Sequence, residues 1–222
     1  TKDALAGFAS GINRINADVD ITILSAGFKK FGGYNTISLD ARTNVGMALP
    51  YSLFEFAKNT GNKTYVMDDI NVHAQSFVQL AFGHSRKIND KLRVGAKMKL
   101  LFGAARGDVQ ISNLRADLAG EDKWTMQGSA KANISMKGFA FKQEEKEYKQ
   151  DGKGTYKYVN DIDIDGPGLG GFGMAFDLGA VYKINDDWQV SASLVDLGFI
   201  SWSNNVTAVN KQETFEFNGF HD

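Results

Sequence analysis

Apolar and polar side chains alternate from Thr36 to Met47, with Thr43 the one hydroxyl on the apolar face. Ile37, Leu39, Ala41, Val45 and Met47 fall on one face, and Ser38, Asp40, Arg42 and Asn44 on the other. Lys91–Ala104 repeats the design, with Leu92, Val94, Met98, Leu100 and Phe102 opposite Arg93, Gly95, Lys97 and Lys99. Trp124–Lys137 is the strictest run: Met126, Ala130, Ala132 and Ile134 oppose Gln127, Ser129, Lys131 and Asn133. In Gly171–Lys183, Phe172, Met174, Phe176, Leu178 and Tyr182 face away from Asp177. A period of two predicts β-strands with one apolar face. Weaker strands are predicted at Val19–Phe28, Ala74–Arg86, Asp108–Leu118 and Gln189–Phe199.

Strands of soluble domains usually run about 5–6 residues, whereas a tilted strand crossing a bilayer needs roughly 9–11. The four clean runs are longer than either, which predicts an all-β, antiparallel, up-and-down transmembrane barrel of at least eight strands. A soluble lipocalin-like sheet would carry the same alternation with its apolar face turned inward. Short turns are predicted at Lys29–Gly33, Ile88–Asp90, Ala119–Asp122 and Ile184–Asp187, with a tight link at Ala105–Gly107. Lys87-Ile88-Asn89-Asp90 and Lys183-Ile184-Asn185-Asp186 read as one turn type used twice. Longer links run over Leu49–Val72, with a short helix after Pro50, and over 138–167, a long charged loop expected outside the cell. Tyr34, Trp124, Tyr182 and Trp188 stand beside the short turns, where an interfacial aromatic girdle is expected. Leu5, Phe8, Ile12 and Ile15 recur at helical spacing, so residues 1–16 read as a short helical or loop segment leading into one domain over 1–222.

Composition removes several function classes. With 25 Lys+Arg against 26 Asp+Glu there is no basic field, so no nucleic-acid partner is expected. The absence of cysteine excludes disulfides, thiolate metal sites and thiol nucleophiles. Asp161-Ile162-Asp163-Ile164-Asp165-Gly166 opens like a calcium loop, but its twelfth position is Phe172, so no metal is expected there. Gly166, Gly168 and Gly171 match a dinucleotide fingerprint in spacing and lack its strand–helix setting. His73, His84 and His221 form no HExxH pair or triad pattern, and Arg106-Gly107-Asp108 reads as a hairpin tip. Neither an enzyme nor a cofactor is expected.

Several blocks carry a family resemblance: Val19-Asp20-Ile21-Thr22-Ile23-Leu24-Ser25-Ala26-Gly27-Phe28, Val45-Gly46-Met47-Ala48-Leu49-Pro50-Tyr51, Gly83-His84-Ser85-Arg86 and Ser193-Leu194-Val195-Asp196-Leu197-Gly198-Phe199. Together they resemble an uncharacterised outer-membrane β-barrel family of Bacteroidota, distantly akin to FadL/PorV-type barrels. The resemblance implies residence in the bacterial outer membrane, with the lipid bilayer as first partner. It also implies a larger barrel, of which this chain would be a part. Two functions follow as expectations: a FadL-like transporter or channel, or a non-transporting structural or docking subunit of an outer-membrane assembly or secretion complex.

If the apolar faces meet lipid, the polar faces bring Asp40, Arg42, Arg93, Lys97, Lys99, Lys131 and Asp177 to the lumen, with Lys137 beside them. Six cations then face two carboxylates. Either acidic loop residues such as Glu144, Glu145, Asp161 and Asp163 fold in to answer them, or the lumen is an anion-preferring passage.

Overall fold

The computed structural model describes residues 4–58, 61–119, 124–147, 155–166 and 168–217. It is almost entirely antiparallel β-sheet. After a short 3-10 turn at Ala4–Gly7 come β1 (Ile12–Lys30), β2 (Gly33–Pro50), α1 (Tyr51–Lys58), β3 (Thr64–Met67) and β4 (Ile70–Lys87). β5 (Leu92–Asp117), β6 (Trp124–Met136), β7 (Phe139–Glu147), β8 (Thr155–Ile164), β9 (Gly171–Lys183), β10 (Gln189–Trp202) and β11 (Asn205–Phe217) follow.

The pairing reduces to fewer, longer units. β5 carries β4 along one side as far as Ile111, where β3 continues in the same line from Leu114 to Asp117. Its other side is shared: β6 pairs Ala105–Asp117, and β9 pairs Leu92–Gly103. β6 and β9 are therefore two halves of one line, interrupted between Met136 and Gly171 by the separate hairpin β7–β8. β10 and β11 form the next line, Trp202 opposite Gly171 and Asn205 opposite Ser135. Gly170 stitches the joint, donating to Gly103 O and accepting from Ser203 N, both at 2.7 Å. The fold is thus a meander of six long lines, with one hairpin inserted halfway along the fifth. Among the described residues β1 pairs only β2, β10 only β9 and β11 only β6, so the sheet is open.

The alternation expected from sequence holds within these strands, and several boundaries change. Asp108–Leu118 is not a separate strand, and Ala105–Gly107 is not a link. β5 runs through both for 26 residues, about 85 Å of chain. A register shift between Ser76 and Phe77 absorbs the change of phase there, and Arg106-Gly107-Asp108 is strand, not a hairpin tip. Ile12 and Ile15 belong to β1, because pairing with Pro50 and Met47 overrides the helical spacing that Gly7 and Gly11 already weakened. Residues 138–167 are not simply a loop: β7 pairs β8, and Asp161 and Asp163 lie on that strand. β11, which the sequence did not disclose, begins after Asn204 turns the chain at φ 56°. Most of the Ala119–Asp122 turn lies outside the described residues, as do Pro167 and His221.

The helix after Pro50 forms as expected. It packs Leu53 and Phe56 onto a small core of Tyr65, Met67, Ile70, Ala116 and Leu118. That core sits at the end of the sheet remote from the turns at 31–32, 88–91 and 184–188. Among the described residues no helix is long and apolar enough to cross a membrane, which says nothing of crossing by strands.

Candidate functional site: a charged network on the concave face

A flat sheet would hold β2 and β10 four strand spacings apart, about 19 Å. Yet Arg42 Nη1 on β2 lies 3.1 Å from Asp196 Oδ2 on β10. The sheet is therefore strongly curled, with the polar face concave.

Lys99 lies at the centre, 4% exposed, its Nζ 2.7 Å from Asp177 Oδ1 and 2.6 Å from Asp196 Oδ1. Arg42 bridges outward, its Nε 3.0 Å from Asp20 and its guanidinium over the Phe77 ring at 6.0 Å. Asp40 accepts from Thr22 (2.7 Å), Ser38 (2.8 Å) and Gln79 (3.0 Å). Lys97 lies opposite Asp177 in register and lines the same cleft of about 450 Å³. Beneath the ions, Phe77, Leu101 and Ala175 are buried against Ile200. The indole of Trp202 lies over Gly103 and Gly171, where any Cβ would meet the ring.

β10 contributes Asp196 through a bulge. Leu194 pairs Leu178 and Leu197 pairs Phe176, so Val195 and Asp196 together face the single residue Asp177. Asp196 takes φ 57° and donates its backbone N–H to Asp177 Oδ1 at 2.9 Å. Strict alternation would have put its carboxylate on the apolar face with Leu194; the extra residue turns it inward. The model of a family of unknown function, DUF5723, matches residues 1–222. The chain belongs to that family. No curated protein and no solved structure matches it.

In this DUF5723 chain part of the expected excess of six cations over two carboxylates is answered from the sheet itself. Asp20 and Asp196, with Asp40 and Asp177, supply the counter-charge. The acidic residues expected to fold in have other partners: Asp161 and Asp163 lie 3.8 and 3.6 Å from Lys142, and Glu144 accepts from the Tyr158 hydroxyl. Sequence reasoning missed Asp20 and Asp196. The available signal was the broken alternation of Leu194-Val195-Asp196-Leu197.

Arg93 and Lys131 share the concave face but join no ion pair among the described residues. Arg93 borders a cleft near the short turns, and Lys131 borders another beside Arg14, Asn16 and Asn133. Between Lys131 and the central network, His73 Nδ1 lies 2.6 Å from Asp108, which also holds Arg106 at 2.9 Å. No hydroxyl is hydrogen-bonded to that ring among the described residues, so no triad is assembled there. The described residues contain no group of three or more His, Cys, Asp or Glu that could hold a metal.

The four aromatics expected in one girdle do not form one. Tyr182 lies on the apolar face at the short-turn end and Trp188 in the turn beside it, 44% and 69% exposed. The Tyr34 ring lies across Gly27 on the polar face, because only glycine opposite leaves it room. Trp124 pairs Phe217 and stands two residues along β6 from Met126, the partner of Ala116, at the opposite end of the sheet.

The two repeated turns do match. Asn89 Oδ1 accepts from the amides of Lys91 and Leu92, and Asn185 Oδ1 from those of Asp187 and Trp188. Lys87 reaches Asp90 and Lys183 reaches Asp186, each at 2.6 Å. The Lys87 hydrogen bond holds the Asp90 carboxyl below its ordinary value.

Proposed function

We propose that this chain is wall of an outer-membrane β-barrel, with its apolar face against lipid and its charged face toward the lumen. One observation carries the reading. Ile21, Leu24, Leu178, Leu194, Leu197 and Phe199 are each at least half exposed, while Lys99 and Asp40 are buried. In water this arrangement is inverted, exposing apolar area on a scale soluble proteins avoid and burying the ions. Against lipid the first cost vanishes, and the second is offset by the ion pairs of Lys99 and the hydrogen bonds of Asp40. A barrel would also pair the open edges of the sheet, because unpaired backbone groups in lipid cost several kcal/mol each.

The function this supports best is a closed-lumen barrel acting as a structural or docking subunit, since the Lys99 network and the packed Phe77–Leu101–Ile200 layer project from the concave face at mid-height. FadL-like transport is the second reading, favoured by the cleft of about 460 Å³ below the network that Arg93 and Lys97 border. Planar-bilayer recording separates them. Electrical silence supports the closed lumen. A large anion-selective conductance that falls with Lys97→Gln establishes transport instead.

A further inference from the structure

On the apolar face of β4, β5, β9 and β10, near the short turns, the side chains become small. The register places His84, Ala96, Leu178 and Leu194 in one row, and Arg86, Val94, Ala180 and Ala192 in the next. With Gly95 and Gly179 between them, they floor a trough of about 600 Å³. Its floor is Val94, Ala96, Ala180 and Ala192. Leu178 and Leu194 bound it toward mid-sheet, and Tyr182 and Val190 form the row nearest the turns.

Arg86 is out of place on this face. It is exposed, its neighbours in the row are aliphatic, and it has no ion pair or hydrogen bond among the described residues. The nearby lysines do not share its position: Lys87 is tied to Asp90 and Lys183 to Asp186. His84 beside it is spoken for, bonded to Asn35 at 2.9 Å. A guanidinium left free at the rim of an apolar trough, one row in from Tyr182, matches a molecule with an anionic head and a hydrocarbon tail. A planar, always-charged donor fork fits a phosphodiester in particular, and interfacial aromatics mark the depth at which phosphates lie.

We propose that this trough is a specific phospholipid site, in which Arg86 binds the phosphodiester and one acyl chain lies over Val94, Ala96, Ala180 and Ala192. The site rests on the lipid-facing assignment made above and adds a particular occupant to it. Filling the trough also covers a patch where the wall is thinnest, because Gly95 and Gly179 leave only backbone between the outer trough and the inner cleft.

The test is native mass spectrometry of the protein released from phosphatidylglycerol nanodiscs, with carbonate extraction of the same membranes in parallel. One lipid should survive activation that strips the rest. Arg86→Gln should lower its retention about tenfold, the scale of one charge-assisted contact. Ala192→Phe, which fills the trough, should lower it comparably. Arg93→Gln, near the same end but on the polar face, should leave it unchanged. Equal losses for Arg86→Gln and Arg93→Gln, or no retained lipid from a carbonate-resistant protein, would overturn the site and leave the membrane assignment intact. Release of the protein by carbonate would overturn the assignment itself.

Discussion

At the scale of single residues, the decisive group is Lys99. Two carboxylates close on it, and it has almost no contact with solvent. Replacing it with methionine leaves Asp177 and the half-exposed Asp196 facing each other without their shared cation, which costs about 1–3 kcal/mol. Lys99→Met should lower unfolding stability in detergent by that amount, and adding Asp196→Asn should restore part of it. Asp20→Asn, whose carboxylate is half exposed, should cost under about 1 kcal/mol. Equal losses for Lys99→Met and Asp20→Asn would mean the network is not centred on Lys99. A second residue-scale expectation concerns the turns. Asp90 is held below the usual carboxylate range chiefly by the Lys87 hydrogen bond. A depressed carboxyl stabilises the fold above its unfolded pKa and loses that contribution as pH falls through the folded value. Carboxyl NMR should show Asp90 titrating below an unpaired aspartate and moving upward in Lys87→Gln.

Among the elements, what the sequence disclosed and what it hid have different physical origins. Alternation was legible because one face of β2, β5, β6 and β9 is mostly apolar, so the inward set of β2 and β6 could be named residue by residue. Strand ends were less legible. Nothing between Ala104 and Asp108 breaks the chain: Ala104 is one extra residue on β5 between Gly103 and Ala105, which pair the consecutive Phe77 and Ser76 of β4, and β5 continues. The bulge at Asp196 and the joining of β6 to β9 depend on pairing between residues far apart in sequence, which periodicity does not record. The Trp202 slot is of the same kind. A Cβ on Gly103 would lie 2.6 Å from the indole, so Gly103→Val should destabilise the sheet by about 1–3 kcal/mol through overpacking. Gly107→Ala, on the same strand, meets only the end of Ile134 at 3.3 Å and should change little. Chemical unfolding of the two variants side by side checks this. A tolerated Gly103→Val would mean that Trp202 does not occupy the slot.

Over the whole molecule exposure is inverted: large apolar side chains cover the convex face, and charge is gathered within the curl. An arginine placed at Met174, between Leu100 and Phe199 on the apolar face, should cost about 2–4 kcal/mol if that level lies near mid-bilayer. Ser193→Arg, beside the polar cleft, should cost much less. The absence of cysteine offers a cleaner test, because single cysteines can be introduced without background. Spin labels at positions 174, 178, 197 and 199, compared with labels at 22, 25 and 193, report collisions with oxygen, which concentrates in lipid, and with a water-soluble nickel chelate. In reconstituted bilayers the first group should be dominated by oxygen and shielded from nickel, and the second should show the reverse or be shielded from both. Nickel access at the apolar-face positions equal to that at the polar-face positions would contradict the account.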